Sequence, residues 1–181
     1  MIDLIELNKD LDNGSNMGGV AQIYVGYHAD VETWPTEPVS PTSLETLATL
    51  TGDVLMKAGK RMFPLYATDD TADFKIVPVG ELDGKSFEMQ LSLFHPGLKK
   101  KILGFMNATK NENLVFVVVD NEGQQFLMGS KLKPSIYNSS PDANGTGKAT
   151  KDRRGLSFEF LFKCKNIYAY PGSIPLTPAE S

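Results

Sequence analysis

The chain has 181 residues, of which 22% are charged and 9% aromatic, with a formal net charge of −4 and a pI near 5.2. A chain of this length suits one domain that buries roughly 70% of its unfolded surface, and its acidic balance gives no global nucleic-acid signature. The lone cysteine, Cys164, excludes an intrachain disulfide, and no stretch approaches the ~18 apolar residues of a membrane span.

The opening Met1-Ile2-Asp3-Leu4-Ile5-Glu6 lacks the basic start and long apolar run of a signal peptide. The expectation is a cytoplasmic protein, in which the Asn-x-Ser/Thr matches at Asn107, Asn138 and Asn144 carry no glycosylation meaning. Residues 8–19 are rich in Asn and Gly and read as loop. A first strand is predicted over Val20 to Tyr27 from its Val, Ile and Tyr content. Pro35, Pro38 and Pro41 exclude a regular ladder in the segment that follows. Leu44 to Leu50 reads either as a short helix capped by Thr42 or Ser43, with Leu44, Leu47 and Leu50 inward, or as extended chain.

Short strands are predicted at Val54–Met56 and, interrupted by Pro64, across Arg61–Thr68. The run Phe74–Val79 reads as a strand whose Pro78 marks a sheet edge or a strand end. Asp83-Gly84 then makes the turn of a hairpin. In Ser86-Phe87-Glu88-Met89-Gln90-Leu91-Ser92-Leu93 every second residue is apolar, the period of a half-buried strand. One helix is predicted from Leu98 to Ala108, opened by His95-Pro96-Gly97, with Leu98, Ile102, Phe105 and Met106 on one face and Lys99, Lys100 and Lys101 mostly on the other. Leu114–Val119 is apolar throughout and reads as a strand buried on both faces. Asp120–Gly123 turns it into a partner strand within Gln124–Ser130. Asn138 to Gly155 is a polar loop. The alternating strand Leu156–Lys163 follows, broken only at Leu161, then a last strand over Asn166–Tyr170 and a proline-containing tail.

Charge is unevenly spread. Residues 1–53 hold nine acids and one base, net −8, which leaves 17 bases against 13 acids, net +4, in the remainder. The basic cluster Lys148, Lys151, Arg153 and Arg154, with Asp152 among them, lies on the long polar loop and reads as a plain solvated loop or as a surface placed to meet phosphates or an acidic neighbouring subunit. It lacks the interleaved aromatics of a single-strand nucleic-acid site.

Motifs that carry chemistry are weak. Asn144-Gly145-Thr146-Gly147-Lys148-Ala149 departs from a phosphate-binding loop, with Asp142 where the first glycine belongs and Ala149 in place of Ser or Thr. Asp69, Asp70 and Asp73 lack calcium-loop spacing and read as a turn. His28 and His95 have no Cys or acid at metal-ligand spacing. Lys163 and Lys165 flank Cys164, an arrangement that lowers a thiol pKa, but no histidine is near in sequence and a buried thiol is expected. Enzymatic acid–base chemistry would have to use dispersed carboxylates such as Asp30, Asp53 or Asp120.

The order of elements over residues 74–175 resembles the tail-tube proteins of long-tailed bacteriophages and the related ring-forming tube proteins of contractile secretion machines. The resemblance rests on the half-exposed strand Ser86–Leu93, the amphipathic helix Leu98–Ala108 and the buried hairpin Leu114–Ser130. It continues through the Ser/Gly/Thr/Lys loop Asn138–Gly155, the strand opening Gly155-Leu156-Ser157-Phe158-Glu159-Phe160 and the Pro-Gly-ended terminal strand. Asn16-Met17-Gly18-Gly19-Val20 is similar to structural proteins of Bacteroidota prophages. The proline-rich stretch 30–51 has no counterpart in the family pattern.

The resemblance implies subunits that close into rings, sheets that line a channel, and stacked rings through which DNA passes as cargo. The fold expected is mainly β (α+β), one domain over 1–181, with antiparallel sheets forming a sandwich or barrel-like core flanked by one main α-helix. Loops at about 28–52 and 138–155 would be assembly arms. Open sheet edges also invite pairing with another copy. The candidate intersubunit contacts are Lys148, Lys151, Arg153 and Arg154 against Asp30, Glu32 and Glu37. No catalytic residue, cofactor, metal or membrane partner is expected. The partners implied are further copies of the chain and other virion proteins, with assembly in the bacterial cytoplasm and residence in a virion. The alternative is a head–tail adaptor or another small binding module.

Overall fold

The computed structural model describes residues 17–138, 145, 146, 149 and 151–178. The expected loop over 8–16 and most of the loop after Asn138, Lys148 included, lie outside the described residues.

Two four-stranded antiparallel sheets face each other, which makes the chain mainly β. The strands are β1 (Val20–Tyr27), β2 (Val31–Thr33), β3 (Leu55–Met56), β4 (Phe63–Pro64), β5 (Asp73–Val79), β6 (Ser86–Pro96), β7 (Leu114–Asp120), β8 (Gln125–Met128), β9 (Ile136–Asn138) and β10 (Gly155–Cys164). Among the described residues two α-helices interrupt them, α1 (Leu44–Leu47) and the main one, α2 (Lys100–Thr109). The first sheet has the order β4-β1-β7-β8, the second β5-β6-β10-β9, and β2 pairs with β3 separately.

The alternation in β6 and β10 explains the sandwich. Met89, Leu91 and Leu93 of β6 and Leu156, Phe158, Phe160 and Phe162 of β10 are buried and meet Ile23, Val25, Leu114, Phe116, Val118 and Met128 of the first sheet in one core. Across the interface the rings of Phe116 and Phe160 lie 4.5 Å apart, and those of Phe74 and Phe126 5.0 Å apart. Helix α2 buries Ile102 in the same core and sets Phe105 edge-on to Phe158 at 5.8 Å. Segment 65–72 crosses from one sheet to the other, with the Thr68 N–H donating to the Phe94 carbonyl at 3.0 Å.

Strand β7 is buried on both faces, as its unbroken apolar run predicts. Leu114, Phe116 and Val118 enter the sandwich core. Val115 and Val117 point the other way, into a second core with Val31, Leu50, Val54, Met56, Met62, Leu127 and Tyr170. The proline-rich segment and the C-terminal segment thus form a layer over the outer face of the first sheet. The segment 28–52 is anchored there: Thr36 and Thr51 exchange backbone hydrogen bonds of 2.8 and 3.0 Å, and the Leu50 N–H reaches the Ala169 carbonyl at 3.0 Å. Ser43 caps α1 with a reciprocal bond to Thr46. Leu50, beyond the helix, is buried, but Leu47 is 45% exposed, against the inward position predicted, and α1 itself buries none of its residues.

Three boundaries differ from the sequence reading. Strand β6 runs on to Pro96, which pairs with Gly155, so Pro96 closes a strand instead of opening the helix. Gly97, at φ +84, makes the turn and the helix begins at Lys100. The turn from β5 to β6 spans residues 80–85, held by Gly84 N–H to the Glu81 carbonyl at 3.1 Å, and is longer than an Asp-Gly pair requires. Residues 166–170 are not a strand. They form single bridges from Ala169 to Thr49 and to Phe126, because this stretch serves the cover layer and the β8 edge together.

Candidate functional site

Among the described residues no helix or strand packs on the outer face of the second sheet over β5, β6, β9 and the second half of β10, while Ser157 near the start of β10 is buried. The register sets rows across this face: Lys75, Gln90, Leu161 and Ile136; Asp73, Ser92, Glu159 and Asn138; Val77, Glu88 and Lys163. The polar members bond along the face. Asn138 Nδ2 donates to Glu159 Oε1 at 2.6 Å and Gln90 Nε2 to Glu88 Oε1 at 2.8 Å, while Lys75 pairs with Asp73 at 2.7 Å. The Asp73 carboxylate, through this hydrogen bond and its charge, holds the Lys75 ammonium above its usual pKa. The result is a four-strand surface of mixed sign, with Asp73, Glu88 and Glu159 against Lys75 and Lys163.

The edges of both sheets are guarded. Strand β4 is two residues long and ends in Pro64, β9 has three residues, and β5 carries Lys75 and Pro78. The β8 edge is occupied, since the Tyr170 N–H donates to the Gln125 carbonyl at 2.9 Å. Short strands, lysine and proline are devices that prevent edge pairing. The expectation that open edges recruit another copy therefore meets edges built against it, and the surfaces left for contact are faces and loops.

The candidate contact residues occupy different layers. Asp30 is half-buried and pairs with Lys60 at 3.2 Å within its own chain. Glu32 and Glu37 are exposed in the cover layer, the latter close enough to Tyr168 to help raise its hydroxyl pKa, to which burial contributes most. Lys151, Arg153 and Arg154 are exposed on the approach to β10. Among the described residues no ion pair joins this basic group to Glu32 or Glu37.

Near Asp30 an open cavity of about 420 Å³ is lined by Tyr27, His28, Ala29, Asp30, Lys60, Glu112 and Asn113. His28 Nε2 lies 2.7 Å from the Ser130 carbonyl, and its ring packs against Trp34 at 4.9 Å, the two planes tilted by 38°. His28 thereby ties the loop after β8 to the start of the cover layer. The carboxylates weighed for acid–base chemistry are engaged structurally. Asp53 accepts the Ser173 N–H at 2.7 Å, and Asp120 accepts the N–H groups of Glu122 and Gln124 at 2.9 and 2.8 Å, closing the β7–β8 turn. Asp70 holds a left-handed turn position at φ 58. Burial pushes the Cys164 thiol up to about 11, which outweighs the lysines beside it in sequence and leaves it protonated at neutral pH.

No protein family, curated protein or solved structure matches this chain. The arrangement itself defines a class, a two-sheet antiparallel sandwich in which a further layer covers the outer face of the first sheet around β7.

Proposed function

We propose that this chain is a self-assembling structural subunit, resembling phage tail-tube proteins, that closes into rings or a tube. The observation that carries this reading is the asymmetry of the two sheets. The first is buried on both faces along its central strand β7, while the described part of the second presents a largely polar outer face across four strands. A sheet facing a water-filled channel needs such a face, and its mixed charge suits passage of DNA. A uniformly basic lining would hold phosphates tightly. The guarded edges are compatible with assembly through loops and faces, which is how a closed ring is joined without runaway strand addition. The reading places the subunit in the bacterial cytoplasm during assembly and in the virion afterwards.

Absolute mass by light scattering on a size column, at two protein concentrations and with micrographs of the same fractions, tests it. Rings or tubes are expected. A monomer that persists at both concentrations overturns the ring reading. A small closed oligomer without a channel favours a head–tail adaptor.

A further inference from the structure

The fold brings together two basic runs that are far apart in sequence. Gly97 donates its N–H to the Arg154 carbonyl at 2.8 Å, and Pro96 pairs with Gly155. Lys151, Arg153 and Arg154 therefore lie beside the connection that carries Lys99, Lys100 and Lys101. All six side chains are exposed. The lysines occupy the start of α2, where no acidic residue stands in the first turn and no side chain caps the helix. Cations at a helix N-terminus oppose its dipole. Like charges gathered from two segments repel one another, so the patch is suited to an anionic partner.

The cover layer supplies matching charge in its first part, whereas its bases are engaged within the chain: Lys57 with the Ala29 carbonyl, Lys60 with Asp30 and Arg61 with the Leu176 carbonyl. Residues 31–53 hold Glu32, Glu37, Glu45 and Asp53 and no base. Asp53 is bonded to the Ser173 backbone, whereas Glu32, Glu37 and Glu45 are exposed. The basic patch sits where β6 ends and β10 begins, in the second sheet. The acids sit on the layer over the first sheet.

We infer that the composite patch of Lys99, Lys100, Lys101, Lys151, Arg153 and Arg154 docks on the acidic cover layer of a second copy of this chain. Such a contact is heterologous: each copy offers one basic and one acidic surface, and repetition closes a ring or extends a filament. The inference rests on the self-assembly reading above and names its interface. Complementary charge also sets orientation, since two basic ends or two acidic layers repel.

The test uses two full-length variants. One carries Lys99→Glu, Lys100→Glu, Lys101→Glu, Lys151→Glu, Arg153→Glu and Arg154→Glu; the other carries Glu32→Lys, Glu37→Lys and Glu45→Lys. Circular dichroism first establishes that both are folded. At low salt each variant alone is expected to self-associate at least tenfold more weakly than the unaltered chain. An equimolar mixture is expected to recover assembly, because one variant then offers only acidic surfaces and the other only basic ones. Variants that assemble normally overturn the interface, as does a mixture that stays apart. Binding of a short DNA duplex that the basic-patch variant loses, with self-association unchanged, assigns the patch to nucleic acid and also overturns it. If the unaltered chain assembles and the variants do too, only this interface fails. If the unaltered chain stays monomeric, the self-assembly reading falls and the interface with it.

Discussion

Tyr170 shows how one side chain joins three parts of the chain. It is fully buried, accepts the Val54 N–H at 2.9 Å and donates to the Ser173 carbonyl at 2.7 Å. Tyr170→Phe keeps the ring but leaves the Val54 N–H buried and unpaired, so a loss of ~1–3 kcal/mol is expected in urea unfolding. Cys164 is a second residue whose behaviour is set by surroundings. With its pKa near 11 in the folded chain against 9.0 for the free group, the unfolded state ionises first as pH rises. Cys164 therefore leaves stability unchanged below pH ~9 and lowers it progressively as pH rises toward 11. Alkylation by iodoacetamide at pH 8 should be markedly slower in the folded protein than in urea. Equal rates in the two states would contradict the burial assigned here.

At the scale of elements, periodicity carried most of the information. The alternation of β6 and β10 marked which residues enter the core, and the unbroken apolar run of β7 marked a strand between two cores. Periodicity did not locate the end of β6. Pro96 fits a helix start as well as a strand end, and only pairing with Gly155 decides between them. Gly155 itself is required by that approach, since a Cβ there would lie 2.4 Å from the His95 carbonyl oxygen. The edges give a prediction at this scale. Replacing Lys75 and Pro78 together by valine removes both guards of β5 and should produce thioflavin-positive aggregates on mild heating. A double variant that stays soluble and dye-negative would show that β5 is protected by something else.

At the scale of the whole molecule, the charge split of the sequence becomes a split between layers. The acids of residues 31–53 ride on the cover of the first sheet and the basic runs meet at one end of the second. Assembly driven by these exposed groups should weaken steeply as salt rises, because the Debye length falls from about 8 Å at 0.15 M to ~3 Å at 1 M. Light scattering across that range measures it. Assembly insensitive to salt would place the dominant contact in apolar surface instead, to which Val39, Leu82 and Leu132, all at least 85% exposed, are among the side chains that could contribute.

Of the proposed assembly surfaces, Lys151, Arg153, Arg154, Glu32 and Glu37 were legible as charge blocks, but their division between layers was not. Lys99, Lys100 and Lys101 read as the solvated side of a helix, and nothing local linked them to a loop some fifty residues away. The sequence by itself determined the fold class, the long strands and the buried face of each, because a period of two or an unbroken apolar run reports local geometry directly. Tertiary structure alone decided that the proline-rich segment covers a sheet, that Asp30 is held by Lys60, and that two basic runs share one end. Those facts depend on pairing between residues distant in the chain, which no local pattern encodes.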